Sequence, residues 1–108
     1  MPNIGSSITG GVVSLEGAAL PNIYNISAPT ANTEVSQALN ANVKKLVIAV
    51  RGGLAKAQFS FTATESGTNY FTIPVGCSLT LDGLKMAAST LYIQTDKNSQ
   101  VIEVLEYT

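Results

Sequence analysis

The chain has no histidine, no tryptophan and a single cysteine, Cys77. Charge is also scarce: six Lys and Arg face seven Asp and Glu, 12% of 108 residues, for a net charge of −1. Each shortage removes a class of function. Without histidine no Ser-His-Asp or Cys-His nucleophile can be assembled, and the commonest zinc ligand is missing. One cysteine forbids an intramolecular disulfide, but a chain this long can hold its fold with a hydrophobic core alone. Cys77, between Gly76 and Ser78, reads as a buried, inert thiol. The charge balance offers no basic patch for a phosphate backbone, so nucleic acid is not an expected partner. No apolar run has the length of a membrane span, so no membrane partner is expected. The segment Met1-Pro2-Asn3-Ile4-Gly5 lacks the basic and apolar regions of a signal peptide, which implies synthesis in the cytoplasm without export. On that ground Asn25-Ile26-Ser27, although it matches a glycosylation sequon, reads as plain strand.

The remaining polar residues form no recognisable reactive set. Glu103 and Glu106 are three apart, so on a strand they point to opposite faces. No D-x-D-x-D spacing suggests a calcium loop. Gly52-Gly53 lacks the Lys-Ser or Lys-Thr and the glycine spacing of a phosphate loop, and reads as a turn. Lys44-Lys45 reads as edge charge that limits aggregation. Tyr24, Tyr70, Tyr92 and Tyr107 offer the residue type of a sugar-stacking surface, but tyrosine is equally normal in strands. The expectation is a non-enzymatic protein with no cofactor and no metal.

What is abundant is apolar and β-forming sequence. Hydrophobic residues make up 45% of the chain, which allows one packed core at this length and argues against disorder of the body. From Pro21 onward short strand candidates recur: Ile23–Ser27, Glu34–Leu39, Lys45–Arg51, Ala57–Thr62, Tyr70–Pro74, Ser78–Leu81, Thr90–Thr95 and Gln100–Tyr107. Ala57-Gln58-Phe59-Ser60-Phe61-Thr62 alternates strictly, with both phenylalanines on one face. Leu46-Val47-Ile48-Ala49-Val50 is apolar on both faces and reads as a central strand covered on both sides. The separators are turn-formers, among them Asn40-Ala41-Asn42, Arg51-Gly52-Gly53, Asp82-Gly83 and Asp96-Lys97-Asn98-Ser99. Leu84–Ala88 has the composition for one helical turn. Strands about ten residues apart with turns between them predict an all-β fold: one antiparallel β-sandwich, jelly-roll or Ig-like, of about eight short strands.

Residues 1–20 differ from residues 21–108, which form the sandwich domain. Glycines and small residues break any sustained period there, and Glu16 is the one charge. The segment reads as an extended arm, with strand character at Val12–Leu15. Its apolar residues Ile4, Ile8, Val12, Val13, Leu15 and Leu20 are more than a solvated tail needs, which favours an arm that orders on a partner subunit.

Three blocks carry a resemblance. Ile23-Tyr24-Asn25-Ile26-Ser27 is followed by Ala31-Asn32-Thr33-Glu34-Val35-Ser36-Gln37-Ala38-Leu39 and then by Val43-Lys44-Lys45-Leu46-Val47-Ile48. Together with Phe59-Ser60-Phe61-Thr62, Ile73-Pro74-Val75-Gly76, Leu91-Tyr92-Ile93-Gln94 and the closing Val101–Tyr107, they resemble small β-rich virion proteins of tailed bacteriophages over about residues 22–107. The Thr33–Leu39 block is the distinctive one. The resemblance implies a virion component located on the capsid surface, with the major capsid protein or other virion subunits as partners. It carries over no catalytic motif. The leading expectation is a decoration or cement protein that clamps the head shell as a homo-oligomer, with a trimer favoured and the arm as its docking element. The alternatives are a tail or head–tail junction component, or a carbohydrate- or receptor-binding β module.

Overall fold

In an extended chain every second side chain points to the same side, so alternating apolar residues give each strand one wet face and one dry face. The computed structural model describes residues 20–108, and the dry faces there meet as two packed sheets. Eight strands form: β1 (Asn22–Ala28), β2 (Val35–Leu39), β3 (Lys45–Val50), β4 (Ala57–Ser60), β5 (Phe71–Ile73), β6 (Ser78–Leu81), β7 (Ser89–Thr95) and β8 (Gln100–Tyr107). All eight expected strands are present, each end within two residues of its expected place.

Sheet I has the order β1-β8-β3-β6 and sheet II the order β2-β7-β4-β5, with every pair antiparallel. First pairs with last, second with seventh, third with sixth and fourth with fifth, as in a long hairpin rolled up on itself. Only β4 and β5 are both consecutive and hydrogen-bonded. This is the jelly-roll arrangement, and it excludes the Ig-like alternative. The core lies between the sheets. Leu46 and Ile48 of β3 and Ile102 and Val104 of β8 face Leu91 and Ile93 of β7, and all six are at most 1% exposed.

The turns use the residues expected of them. Asn42, Gly52, Gly53, Gly83 and Ser99 all have positive φ. Gly53 and Gly76 are also needed for space: a Cβ on Gly53 would lie 3.3 Å from the Gly76 backbone, and both have positive φ. Three expectations need correction. Leu84–Ala88 is not helical. The Leu84 N–H donates to the Lys44 carbonyl and the Asn42 N–H to the Met86 carbonyl, so the segment runs extended beside residues 42–44 and turns Leu84 and Met86 toward the core. Lys44 and Lys45 do not guard an edge, because β3 is hydrogen-bonded on both sides; the Lys45 ammonium instead lies 5.2 Å from the centre of the Tyr107 ring. Cys77 is exposed, not buried, because it sits in the β5–β6 turn, where its N–H donates to the Pro74 carbonyl.

One buried carboxylate ties the closing strand to the rest. Glu106 of β8 is 0% exposed and points inward at the end of the sandwich where β1 begins. Its Oε1 accepts from Asn22 Nδ2 (2.8 Å), Tyr24 Oη (3.0 Å) and Asn40 Nδ2 (2.8 Å), and its Oε2 accepts from the Asn40 backbone N–H (2.9 Å). Four neutral donors from β1 and the β2–β3 loop thus stand where a cation would otherwise be needed. Burial pushes the carboxyl pKa up, but the bonds from Asn22, Asn40 and Tyr24 outweigh it and hold the group below its ordinary value of 4.5. The same contact raises the Tyr24 pKa, through burial first and then the bond to Glu106 and its charge.

A depressed folded pKa means that Glu106 contributes stability above its unfolded value, and that this is lost as pH falls through the folded value. Glu106→Ala orphans donors on two neighbouring elements and is expected to cost about 2–4 kcal/mol in urea melts. Glu106→Gln is expected to flatten the acid limb of the stability–pH curve relative to the native chain. Equal acid sensitivity in the two proteins would assign that limb to other groups.

Candidate assembly surface

The outer faces of the two sheets are finished differently. On sheet II the outward side chains are mostly polar: Ser36 of β2, Tyr92 and Gln94 of β7, and Gln58 and Ser60 of β4, with Ala38 of β2 the small apolar member. The β4–β5 loop then folds back across them. Ser66, fully buried, places its hydroxyl 3.1 Å from Gln94 Oε1, and a Cβ on Gly67 would meet the same Gln94 oxygen at 3.3 Å. Glu34 holds the loop down. Its carboxylate accepts from the Thr64 N–H (2.9 Å), the Ser66 N–H (3.1 Å) and the Ser66 hydroxyl. The Ser66 bond, against the opposing effect of burial and with help from the two backbone bonds, holds the Glu34 pKa below its ordinary value. The clamp also retains Thr64 at φ 66°, a conformation that a β-branched residue adopts only under constraint.

Sheet I has no such cover among the described residues. Its outward positions carry an apolar row one residue deep across the strands, with Ile23 opposite Leu105 and Leu105 opposite Val47, and Thr80 beyond. Ile23 is 69% exposed. Ala49 lies in the neighbouring row with Glu103 and Asn25, and these three join Ile23, Val47 and Leu105 in lining a shallow depression of about 300 Å³. Polar groups frame the strip. On one side Arg51 donates to Glu103 (2.8 Å) and Asn25 (2.9 Å), and on the other lies the Lys45–Tyr107 contact. The run Leu46–Val50 is therefore central in its sheet, and among the described residues only its inner face is covered, where the expectation was a strand covered on both. Its continuous apolar character was the sequence signal for this surface.

A second apolar feature lies where the edge strands β5 and β6 part. Phe59, Phe61, Tyr70, Phe71, Leu79 and Leu81 line an open cleft of about 350 Å³. Phe59 packs edge-on against Phe61 and Phe71, with ring centres 5.8 and 6.0 Å apart. The four tyrosines do not form one platform. Tyr24 points inward to Glu106, Tyr107 outward on sheet I, Tyr92 outward on sheet II, and Tyr70 sits in the cleft.

Of the expected docking residues, Leu20 is 78% exposed and immediately precedes Pro21 and the start of β1. Ile4, Ile8, Val12, Val13 and Leu15 lie outside the described residues. Glu103 and Glu106 point to opposite faces as expected, one to Arg51 and one into the interior. Among the described residues no three His, Cys, Asp or Glu side chains group as metal ligands, and no helix is long and apolar enough to cross a membrane.

No family model, no curated protein and no solved structure matches the chain.

Removal of the Glu34 clamp is expected to free the loop without unfolding the sandwich. In Glu34→Ala, hydrogen exchange at the Thr64 and Ser66 amides should accelerate well beyond that of β7 amides. Acidification should do the same to the native protein, since the depressed carboxyl loses its acceptor role as pH falls through its folded pKa. Unchanged protection at both amides would mean that packing alone holds the loop.

Proposed function

We propose that this is a non-enzymatic virion structural protein of a tailed bacteriophage, a decoration or cement protein that binds and stabilises the head shell. The observation that carries the assembly reading is the apolar strip on sheet I that the described residues leave uncovered. A jelly roll of this size can bury its own apolar residues between its sheets, and it does so with Leu46, Ile48, Leu91, Ile93, Ile102 and Val104. Ile23, Val47 and Leu105 serve no purpose in that core. Apolar side chains grouped within a polar frame mark a contact surface. The arm joins β1 at Leu20, and an apolar extension of this kind would add contact area without enlarging the folded body. The virion setting comes from the resemblance of residues 22–107, above all of the Thr33–Leu39 block.

The carboxylates support a role without chemistry of their own. Glu106 and Glu34 are consumed by neutral donors that hold strands and loops together, and Glu103 is paired with Arg51. The aromatic cleft of Phe61, Tyr70 and Phe71 favours a second reading, a receptor- or carbohydrate-binding module.

Quantitative mass spectrometry of purified particles tests the proposal. Copies comparable to the major capsid protein are the expected result. A handful of copies would move the protein to the tail or the head–tail junction. Absence from particles would overturn the virion reading and make a glycan array, with Tyr70→Ala as control, the next measurement. Deletion of residues 1–20 is expected to abolish particle binding while the sandwich keeps its cooperative thermal transition.

A further inference from the structure

We propose that the extended segment 84–87 is a docking edge for an acidic, extended peptide segment of a partner protein. The site shares no residue with the depression on sheet I, and its test does not depend on the virion setting.

Backbone geometry supplies the edge. The Leu84 N–H donates to the Lys44 carbonyl (2.9 Å), the Met86 N–H donates to the Val43 carbonyl (3.4 Å), and the Met86 carbonyl accepts from the Asn42 N–H (2.8 Å). All three bonds use residues 84 and 86 of the segment. In an extended chain the backbone groups of successive residues point to opposite sides, so those of Lys85 and Ala87 point away from residues 42–44. Lys85 and Ala87 are exposed, and among the described residues their N–H and C=O groups have no backbone hydrogen-bond partner. An added strand takes such alternate groups as its ladder.

The groove beside this edge selects the chemistry of the strand. Leu84 and Met86 pack against the core and form the floor of a depression of about 630 Å³, and the exposed residues Lys44 and Lys85 stand at its rim. Asp82 is the one carboxylate of the lining, and its Oδ1 accepts from the Gly83 N–H (2.8 Å) within its own turn. Among the described residues the one ion pair is Arg51–Glu103, so neither ammonium is matched there. The excess positive charge favours a strand that carries carboxylates, with apolar side chains between them for the floor. It also disfavours a second copy of the chain, because a two-fold pairing of this edge with itself brings the two Lys85 ammoniums together. A phosphate backbone satisfies the ammoniums but has no N–H to give to the exposed carbonyls.

Nuclear magnetic resonance on the full chain tests this. The probe is a synthetic peptide of alternating Glu and Val, and two control peptides carry Gln or Lys in place of Glu. At about 1 mM the acidic probe is expected to shift the Lys85 and Ala87 amides and to leave those of Ser66 and Gln94 in place. Lys44→Gln combined with Lys85→Gln is expected to weaken binding about ten-fold, with the fold checked by circular dichroism. Salt at about 0.5 M is expected to weaken binding to the native chain as well. Two further probes, N-methylated at alternate amides in opposite phase, leave the protein unchanged and separate ladder pairing from charge attraction. One phase is expected to lose binding and the other to keep it. No shift at Lys85 and Ala87 overturns the inference, as does equal binding of the Gln or Lys peptide, or equal binding of both methylated probes. A single-stranded oligonucleotide that shifts the same amides where the acidic peptide does not would overturn it in favour of a phosphate ligand.

Discussion

The sandwich depends on the last strand being inserted between the first and the third. β8 is hydrogen-bonded to β1 on one side and to β3 on the other, so sheet I does not exist until the end of the chain has returned to its beginning. Glu106 marks that closure chemically. Its carboxylate is satisfied only when Asn22, Tyr24 and Asn40, up to 84 residues away, have arrived around it. Ordering such distant segments carries the loop-closure entropy of most of the domain before any reward is received. A buried carboxylate without those donors would be costly, which penalises any other register of β8. The group thus contributes to the uniqueness of the closed state as well as to its stability.

The same closure leaves an asymmetry between the faces. Sheet II carries polar residues outward and still receives a loop, held by Glu34 at the expense of an unfavourable backbone conformation at Thr64. Sheet I carries the apolar row outward and receives nothing from residues 20–108. A protein that used its outer faces only for solubility would distribute these residues the other way round. The two outer faces of the described sandwich therefore differ in both polarity and cover.

Much of this was legible in residues taken in order. The strands and their turns follow from alternation and from Gly, Asn, Asp and Ser, because both signals are local. The errors have a common origin. Leu84–Ala88 has helical composition, yet hydrogen bonds from residues 42–44 and the pull of the core on Leu84 and Met86 outweigh a weak propensity. Residue type alone points to a buried thiol at Cys77, whereas the turn that holds it decides its exposure. Leu46–Val50 was recognised as apolar on both faces, but whether the second face is covered is a property of everything else in the molecule. Glu106 gave no sign of its role beyond facing away from Glu103, since its partners lie in other parts of the chain.

What the amino-acid order determined by itself is therefore the all-β class, the position of each strand, which side chains share a face in strands such as Ala57–Thr62, and the lack of the histidine that nucleophilic and zinc chemistry commonly use. These depend on a period of two and on composition, which need no knowledge of distant neighbours. Tertiary structure alone decided the jelly-roll order, the donors around Glu106, the loop clamped by Glu34 and the strip left open on sheet I. Each of these is a meeting of residues tens of positions apart, and which strands meet is set by the free energy of the whole packed arrangement, to which no local stretch of sequence has access.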